Sequence, residues 1–130
     1  MSEKKLNWRT WLLEGDQYLK ASTPKSGVSR FGPEVRYNLI SMSLEAYIMA
    51  IMDFYKKLPQ NHTYSDLIRG LETVITLDEK LKNRILRYEN IQSICSIEKY
   101  HTTAATEVEL IDLKGAVVEI SAIAHRVCAA

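Results

Sequence analysis

The three histidines are the first residues to test for chemistry, because imidazole is a common metal ligand and proton carrier. His101 ends the motif Glu98-Lys-Tyr-His101, a single copy of the Glu-x-x-His pattern. A di-iron helical bundle needs two such copies on two helices, with one further glutamate from each of two others. The sequence therefore predicts no metal site and no cofactor, and this motif is interpreted as a solvated turn. His125 stands among Ala, Ile and Val, which predicts a partly buried, hydrogen-bonded side chain.

Cysteine offers a second kind of chemistry. Cys95 precedes His101 closely enough in sequence for a thiol–imidazole pair, but its neighbours Ile94 and Ile97 favour burial over reactivity. The chain has no CxxC motif, and Cys128 is far from Cys95 in sequence. We interpret both cysteines as buried or free thiols.

A polar line crosses the long apolar segment at residues 33–57. Asn38, Ser41 and Glu45 follow one another at spacings of three and four, so a helix places them on one side. Polar groups on a central helix are costly unless they find partners. The line predicts a buried network that fixes helix register, a homodimer seam or the wall of a ligand pocket. The structural interpretation is favoured.

A basic stripe formed by Lys80, Arg84 and Arg87 could contact phosphate groups. Arginine suits this better than lysine, because its planar fork can bind bidentately. Glu79 and Glu89 could equally balance these charges, and the sequence favours a solvated face. No residue is predicted to be catalytic. The candidate binding residues are Asn38, Ser41, Glu45, His62, Arg84 and Arg87.

In five segments of the chain apolar residues recur at spacings of three and four, which predicts five helices. These helices must position the side chains named above. Pro33 after Gly32 suits a helix start, since proline at the first helical position loses no needed hydrogen bond. Capping-box patterns occur at Thr63–Asp66, Thr76–Glu79 and Thr106–Glu109. The predicted helices cover residues 5–22, 33–57, 63–75, 76–93 and 107–128.

The second helix is apolar on two sides. One side carries Tyr37, Ile40, Leu44, Ile48, Ile51 and Tyr55; the other carries Val35, Leu39, Met42, Ala46 and Met49. Such a helix is predicted to be central, with neighbours on both sides. We expect one all-α domain over residues 1–130, an up-and-down antiparallel bundle of four main helices plus one short helix. Its apolar surface, with Trp8 and Trp11, exceeds what a small bundle covers, which predicts a homodimer.

The composition limits the classes of function that this chain can have. Of 130 residues, 46% are hydrophobic, and 17 basic against 16 acidic side chains give a net charge of +1. A dedicated electrostatic DNA binder would show a stronger basic excess. No apolar run reaches about 18 residues, so no membrane contact is predicted. The charged N-terminus lacks the apolar core of a signal peptide, and a cytoplasmic protein is expected.

The order of elements resembles the HEPN family, small helical domains of prokaryotes often found beside minimal nucleotidyltransferases. The likeness lies in Gly15-Asp-Gln-Tyr18-Leu-Lys-Ala21, in the Tyr37-Asn38 and Glu45-Ala46-Tyr47 groups, and in His62-Thr-Tyr-Ser-Asp-Leu67. It covers about residues 6–92. The resemblance implies a helical bundle that often dimerises and that binds nucleotides or partner proteins, or cleaves RNA.

The chain departs from the family's ribonucleases, which resemble one another in an Arg followed after four to six residues by His. No Arg here has a His at that spacing. Without this pair no base activates a ribose hydroxyl and no paired cation meets the phosphate. We therefore expect a non-catalytic binding or partner subunit of a nucleotidyltransferase or toxin–antitoxin pair, with nucleotide or RNA as a further ligand class. The alternatives are a homo-oligomeric adaptor with no small ligand, or an RNA- or nucleotide-processing enzyme whose non-standard site uses Arg84, Arg87, His62 or His101.

Overall fold

A computed structural model describes residues 7–23, 32–59, 61–89 and 106–129. Within these ranges helices are joined by turns and irregular segments and there are no strands, which confirms the all-α class. Three described helices are long and two are short, where the sequence predicted four and one. The helices are α1 (Trp8–Ala21), α2 (Pro33–Phe54), α3 (Tyr64–Leu71), α4 (Glu79–Leu86) and α5 (Glu107–Cys128).

The predicted signals at the starts of α2, α3 and α5 are confirmed. Pro33 takes the first position of α2, and the Thr63 side chain accepts a hydrogen bond from the backbone of Asp66. At α5 the full capping box forms. The Thr106 hydroxyl accepts from the Glu109 amide at 3.1 Å, and the Glu109 carboxylate accepts from the Thr106 amide at 2.8 Å.

The predicted start of α4 at Thr76 is wrong. The N-cap is Asp78, whose carboxylate accepts from the amides of Lys80 and Leu81 at 3.1 and 3.2 Å. Aspartate is as good a cap as threonine, and capping at Asp78 leaves Leu77 free to enter the core, where it is buried. Residues 90–93 of the predicted helix lie outside the described ranges.

α2 is the central helix, in contact with α1, α3 and α5. The start of α1 meets the end of α2, where the rings of Trp8 and Phe54 pack edge to face with centroids 5.6 Å apart. The start of α5 lies at the start of α2, where Arg36 pairs with Glu107, and its last residue, Cys128, approaches Ala50. The antiparallel expectation therefore holds for α1 against α2, whereas α2 and α5 run in the same direction.

The core follows the first apolar side of α2. Leu44 and Ile48 are completely buried, as are their neighbours Tyr37, Ile40 and Ile51. Tyr55, predicted on this side, is 43% exposed because α2 ends at Phe54 and Tyr55 is its C-cap.

The second apolar side of α2 is covered over only part of its length. Ala46 and Met49 are buried, but Val35 and Met42 are 45% and 43% exposed. α1 packs on α2 through Ser43 and Tyr47, so a residue at position 42 stands beside that contact rather than beneath it. The expectation of neighbours on both sides of α2 is therefore confirmed at Ala46 and Met49 and is wrong at Val35 and Met42.

Candidate functional site

The polar line of α2 meets the segment that leads into α3. Oε2 of Glu45 pairs with Nδ1 of His62, and both side chains keep access to solvent. His62 directly precedes Thr63, the N-cap of α3, so the cap that starts this helix also fixes where the imidazole stands. The structure thus joins Glu45 and His62, two candidate binding residues that were predicted from separate features.

The other two members of the line have different surroundings. Ser41 is half-buried and shares a hydrogen bond with the hydroxyl of Tyr64, a fully buried side chain of α3. Asn38 is exposed, and its side chain bonds to no described residue. Two polar contacts therefore tie the beginning of α3 to the middle of α2, as expected for a network that fixes helix register.

The basic stripe of α4 is occupied by carboxylates of α5. Arg84 pairs with Glu119 at 2.5 Å and with Asp112 at 3.4 Å, and Arg87 lies 3.5 Å from Asp112. The hydrogen bond with Glu119 raises the pKa of Arg84, although partial burial opposes this shift. Arg84 is thus held in ion pairs within the bundle, whereas Arg87 makes one longer contact and is exposed, as is Lys80.

The sequence analysis proposed Glu79 and Glu89 as the carboxylates that balance the charges of this stripe. For Glu89 this is wrong. That carboxylate accepts from the amide and the hydroxyl of Ser65 in α3. A side chain next to the stripe in sequence is drawn to the nearest amide because the first turn of a helix has unpaired N–H groups. The balancing charges come instead from α5, across a sequence separation that the local pattern does not reveal.

A Tyr–Asp–His cluster, which the sequence did not indicate, joins α1, α2 and α5. The hydroxyl of Tyr47 donates to Asp16, and Nε2 of His125 lies 2.9 Å from the same carboxylate oxygen. Burial, followed by the hydrogen bond to Asp16, raises the pKa of Tyr47 to about 12. His125 is hydrogen-bonded as predicted, but about half of its side chain is exposed. No motif signals this cluster, since each helix supplies one member.

A cleft of about 130 Å³, here the α1–α2 cleft, opens between the first two helices. Its lining residues are Trp11, Glu14, Tyr18, Met42, Glu45 and Ala46. Glu45 therefore borders both the cleft and His62.

The outer face of α5 carries a row of exposed apolar side chains, Val108, Ile111 and Val118, here the α5 row. They are 75%, 62% and 48% exposed. The spacings of three and seven place them on one side of the helix, with the half-buried Gly115 between the last two. The sequence analysis missed this row because it looked for exposed apolar surface on the second helix and at the two tryptophans only.

Only some of the residues considered for metal and thiol chemistry lie within the described ranges. Among the residues described, no group of three or more His, Cys, Asp or Glu could hold a metal ion. Glu98, His101 and Cys95 lie outside those residues. Cys128 is a buried free thiol, as predicted, and burial raises its pKa. No helix in the described ranges is long and apolar enough to span a bilayer.

Comparisons with family models, with curated proteins and with solved structures give no match for this chain.

Proposed function

We propose that this chain is a non-catalytic, HEPN-like binding subunit that acts through protein–protein contact, first with a second copy of itself. In this proposal the assembled dimer is the form that meets a nucleotidyltransferase-type or toxin–antitoxin partner. The observation that carries the proposal is the α5 row. Single exposed apolar residues are normal on a protein surface, but a line of three on one helix face is typical of an interface.

The surroundings of the α5 row favour a protein partner. Asp112 and Glu119, which lie along the same helix, are already paired with Arg84 and Arg87. A helix that covers the row would not bury unpaired carboxylates, so the desolvation cost is reduced. Gly115 stands within the row, and a Cβ atom there would lie 3.0 Å from the Arg84 guanidinium, so the missing side chain makes room for the ion pairs of Arg84.

The same ion pairs weaken the case for phosphate binding at the arginines. A nucleotide at Arg84 and Arg87 would have to displace Asp112 and Glu119, both of which are fixed on α5. It would then leave those two carboxylates without their cations, at a cost that the new contact must first offset. This supports a subunit without nuclease chemistry at α4.

Light scattering on the purified protein and two variants tests the proposal. The wild type should elute as a dimer, twice the 14.9 kDa of one chain, at micromolar concentration. Ile111→Glu places a charge in the α5 row and should give a monomer with unchanged helical circular dichroism. Leu13→Glu is the matched control, because Leu13 is 57% exposed on α1, outside the row, and this variant should stay dimeric.

The same samples are then incubated with generic RNA, which should remain intact. A wild type that is monomeric at micromolar concentration would overturn the proposed association. RNA cleavage that disappears in His62→Ala or His101→Ala would overturn the non-catalytic assignment and favour the nuclease alternative.

A further inference from the structure

The α1–α2 cleft is separate from the α5 row and has its own chemistry. α1 contributes Trp11, Glu14 and Tyr18 at spacings of three and four, so all three project from one side of the helix. α2 contributes Glu45 from the polar line and Met42 from the apolar side next to it. Two aromatic rings, a thioether and two carboxylates therefore surround one small opening.

The electrostatics of this lining are negative. Glu14 makes no ion pair or hydrogen bond with any residue that the structure describes. Glu45 uses Oε2 for His62, and its Oε1 makes no hydrogen bond with a described residue. Among the residues that the structure describes, no lysine or arginine lines the cleft. Aromatic faces beside carboxylates are the surroundings that stabilise an organic cation, through the ring quadrupole and through charge.

The size of the cleft narrows the class of ligand. Pockets for nucleotides and other small molecules usually measure about 300–1,000 Å³, well above the 130 Å³ found here. The carboxylates would also repel phosphate. One cationic side chain, presented by a larger molecule, fits both the volume and the charge.

Guanidinium suits the lining better than ammonium. Its planar group stacks on aromatic rings and binds carboxylates through two parallel hydrogen bonds, which a lysine cannot do. The chain already contains one such arrangement, since the guanidinium of Arg9 lies 4.3 Å from the ring centre of Trp8. Trp11 lies one turn further along α1 and lines the cleft, and no cation of the described residues lies over its ring.

We propose that the α1–α2 cleft binds one arginine side chain of a partner protein. The guanidinium packs on Trp11 and Tyr18 and forms ion pairs with Glu14 and Glu45. The inference rests on the proposed function in one respect, that the partner is a protein. It requires neither the α5 row nor the dimer.

The test is a nuclear magnetic resonance titration that follows the indole N–H signals of the two tryptophans. The probe is Nα-acetyl-arginine methylamide, and the control ligand is Nα-acetyl-citrulline methylamide, which has the same shape without the charge. We expect a saturable shift of the Trp11 signal with the arginine probe alone. Trp8, which packs on Phe54 and under Arg9, should not move. Added salt should weaken the effect, because the charges are partly exposed.

Two variants make the test specific. Glu14→Gln should reduce affinity about fivefold, the factor that corresponds to about 1 kcal/mol for a partly exposed ion pair. Glu34→Gln is the matched control, since Glu34 is an exposed glutamate in the first turn of α2 and is absent from the cleft. Equal shifts with citrulline, or unchanged affinity in Glu14→Gln, would overturn the arginine site.

The titration is repeated on Ile111→Glu to separate this inference from the dimer. Binding that persists in that variant supports a cleft that works on each protomer by itself. Binding that is lost there, with the fold intact, would refute that independence. A failed titration on a dimeric wild type would reject the cleft while leaving the proposed association in place.

Discussion

Gly15→Ala is the substitution that most directly tests how α1 is held against α2. A Cβ atom at position 15 would lie 2.7 Å from Cε1 of the Tyr47 ring, closer than carbon atoms pack. The ring cannot easily move away, because Tyr47 is buried and its hydroxyl is bonded to Asp16. The Gly15 carbonyl also accepts a hydrogen bond from Ser43 at 2.8 Å. The two helices are therefore in close contact from both sides of this glycine.

The expected magnitude follows from two opposing effects. Alanine is about 1 kcal/mol more favourable than glycine inside a helix. Overpacking a well-packed core costs about 1–3 kcal/mol, and the upper end applies where the neighbour is rigid. The free energy of unfolding should therefore fall by about 1–2 kcal/mol. Arginine binding in the α1–α2 cleft should weaken as well, because Trp11 and Glu14 move with α1.

Urea denaturation followed by circular dichroism measures this change, with Gly70→Ala as the matched control. A Cβ atom at Gly70 would meet Cε of Met52 at 2.9 Å, but this is the free end of a flexible side chain. Gly70→Ala should leave the free energy of unfolding within about 0.5 kcal/mol of wild type, or raise it. A Gly15→Ala protein as stable as wild type would refute the idea that this glycine sets the spacing of the two helices.

Two further measurements test the packing of the core and the pH dependence of the free energy of unfolding. Leu44→Ala, at a completely buried position, should lower the free energy of unfolding by about 2–5 kcal/mol, whereas Leu13→Ala on the surface should change it by less than about 0.5 kcal/mol. The pKa of Tyr47 is raised from 10.0 in the unfolded chain to about 12 in the fold. The folded state therefore retains this proton longer than the unfolded state, and the stabilisation is complete below about pH 10 and is lost as pH rises through about 12. Tyr47→Phe should remove this alkaline loss of stability, and an unchanged profile would show that other groups cause it.

Much of the fold could be predicted because local chemistry specifies it. The capping box at Thr106 and the periodicity that follows it place α5 at Glu107–Cys128, the predicted bounds. Local chemistry also explains the error at α4. Thr76 and Asp78 are both good caps in sequence, and the burial of Leu77 decides between them. That burial depends on tertiary packing, which a pattern of neighbouring residues does not contain.

The candidate site could be predicted only in part, because its contacts join distant residues. The polar line identified Ser41 and Glu45 as residues in need of partners. It could not identify Tyr64 and His62 as those partners, since their position depends on how the chain turns before α3. The direction of α5 relative to α2 could not be predicted from the sequence either. Its course parallel to α2 is what brings Asp112 and Glu119 to the arginines of α4.

The ion pairs between α4 and α5 also decide how function should be tested in this chain. Replacing Arg84 leaves Glu119 and part of Asp112 without a cation, and Tyr88 also donates its hydroxyl to Asp112. A loss of nucleotide or partner binding in such a variant would then mix a change of packing with a change of contact. Ile111 and Glu14 are exposed or half-exposed, and neither is hydrogen-bonded to a described residue. Substitutions at these two positions change a surface while leaving the α2–α4–α5 contacts intact, so they separate association from stability.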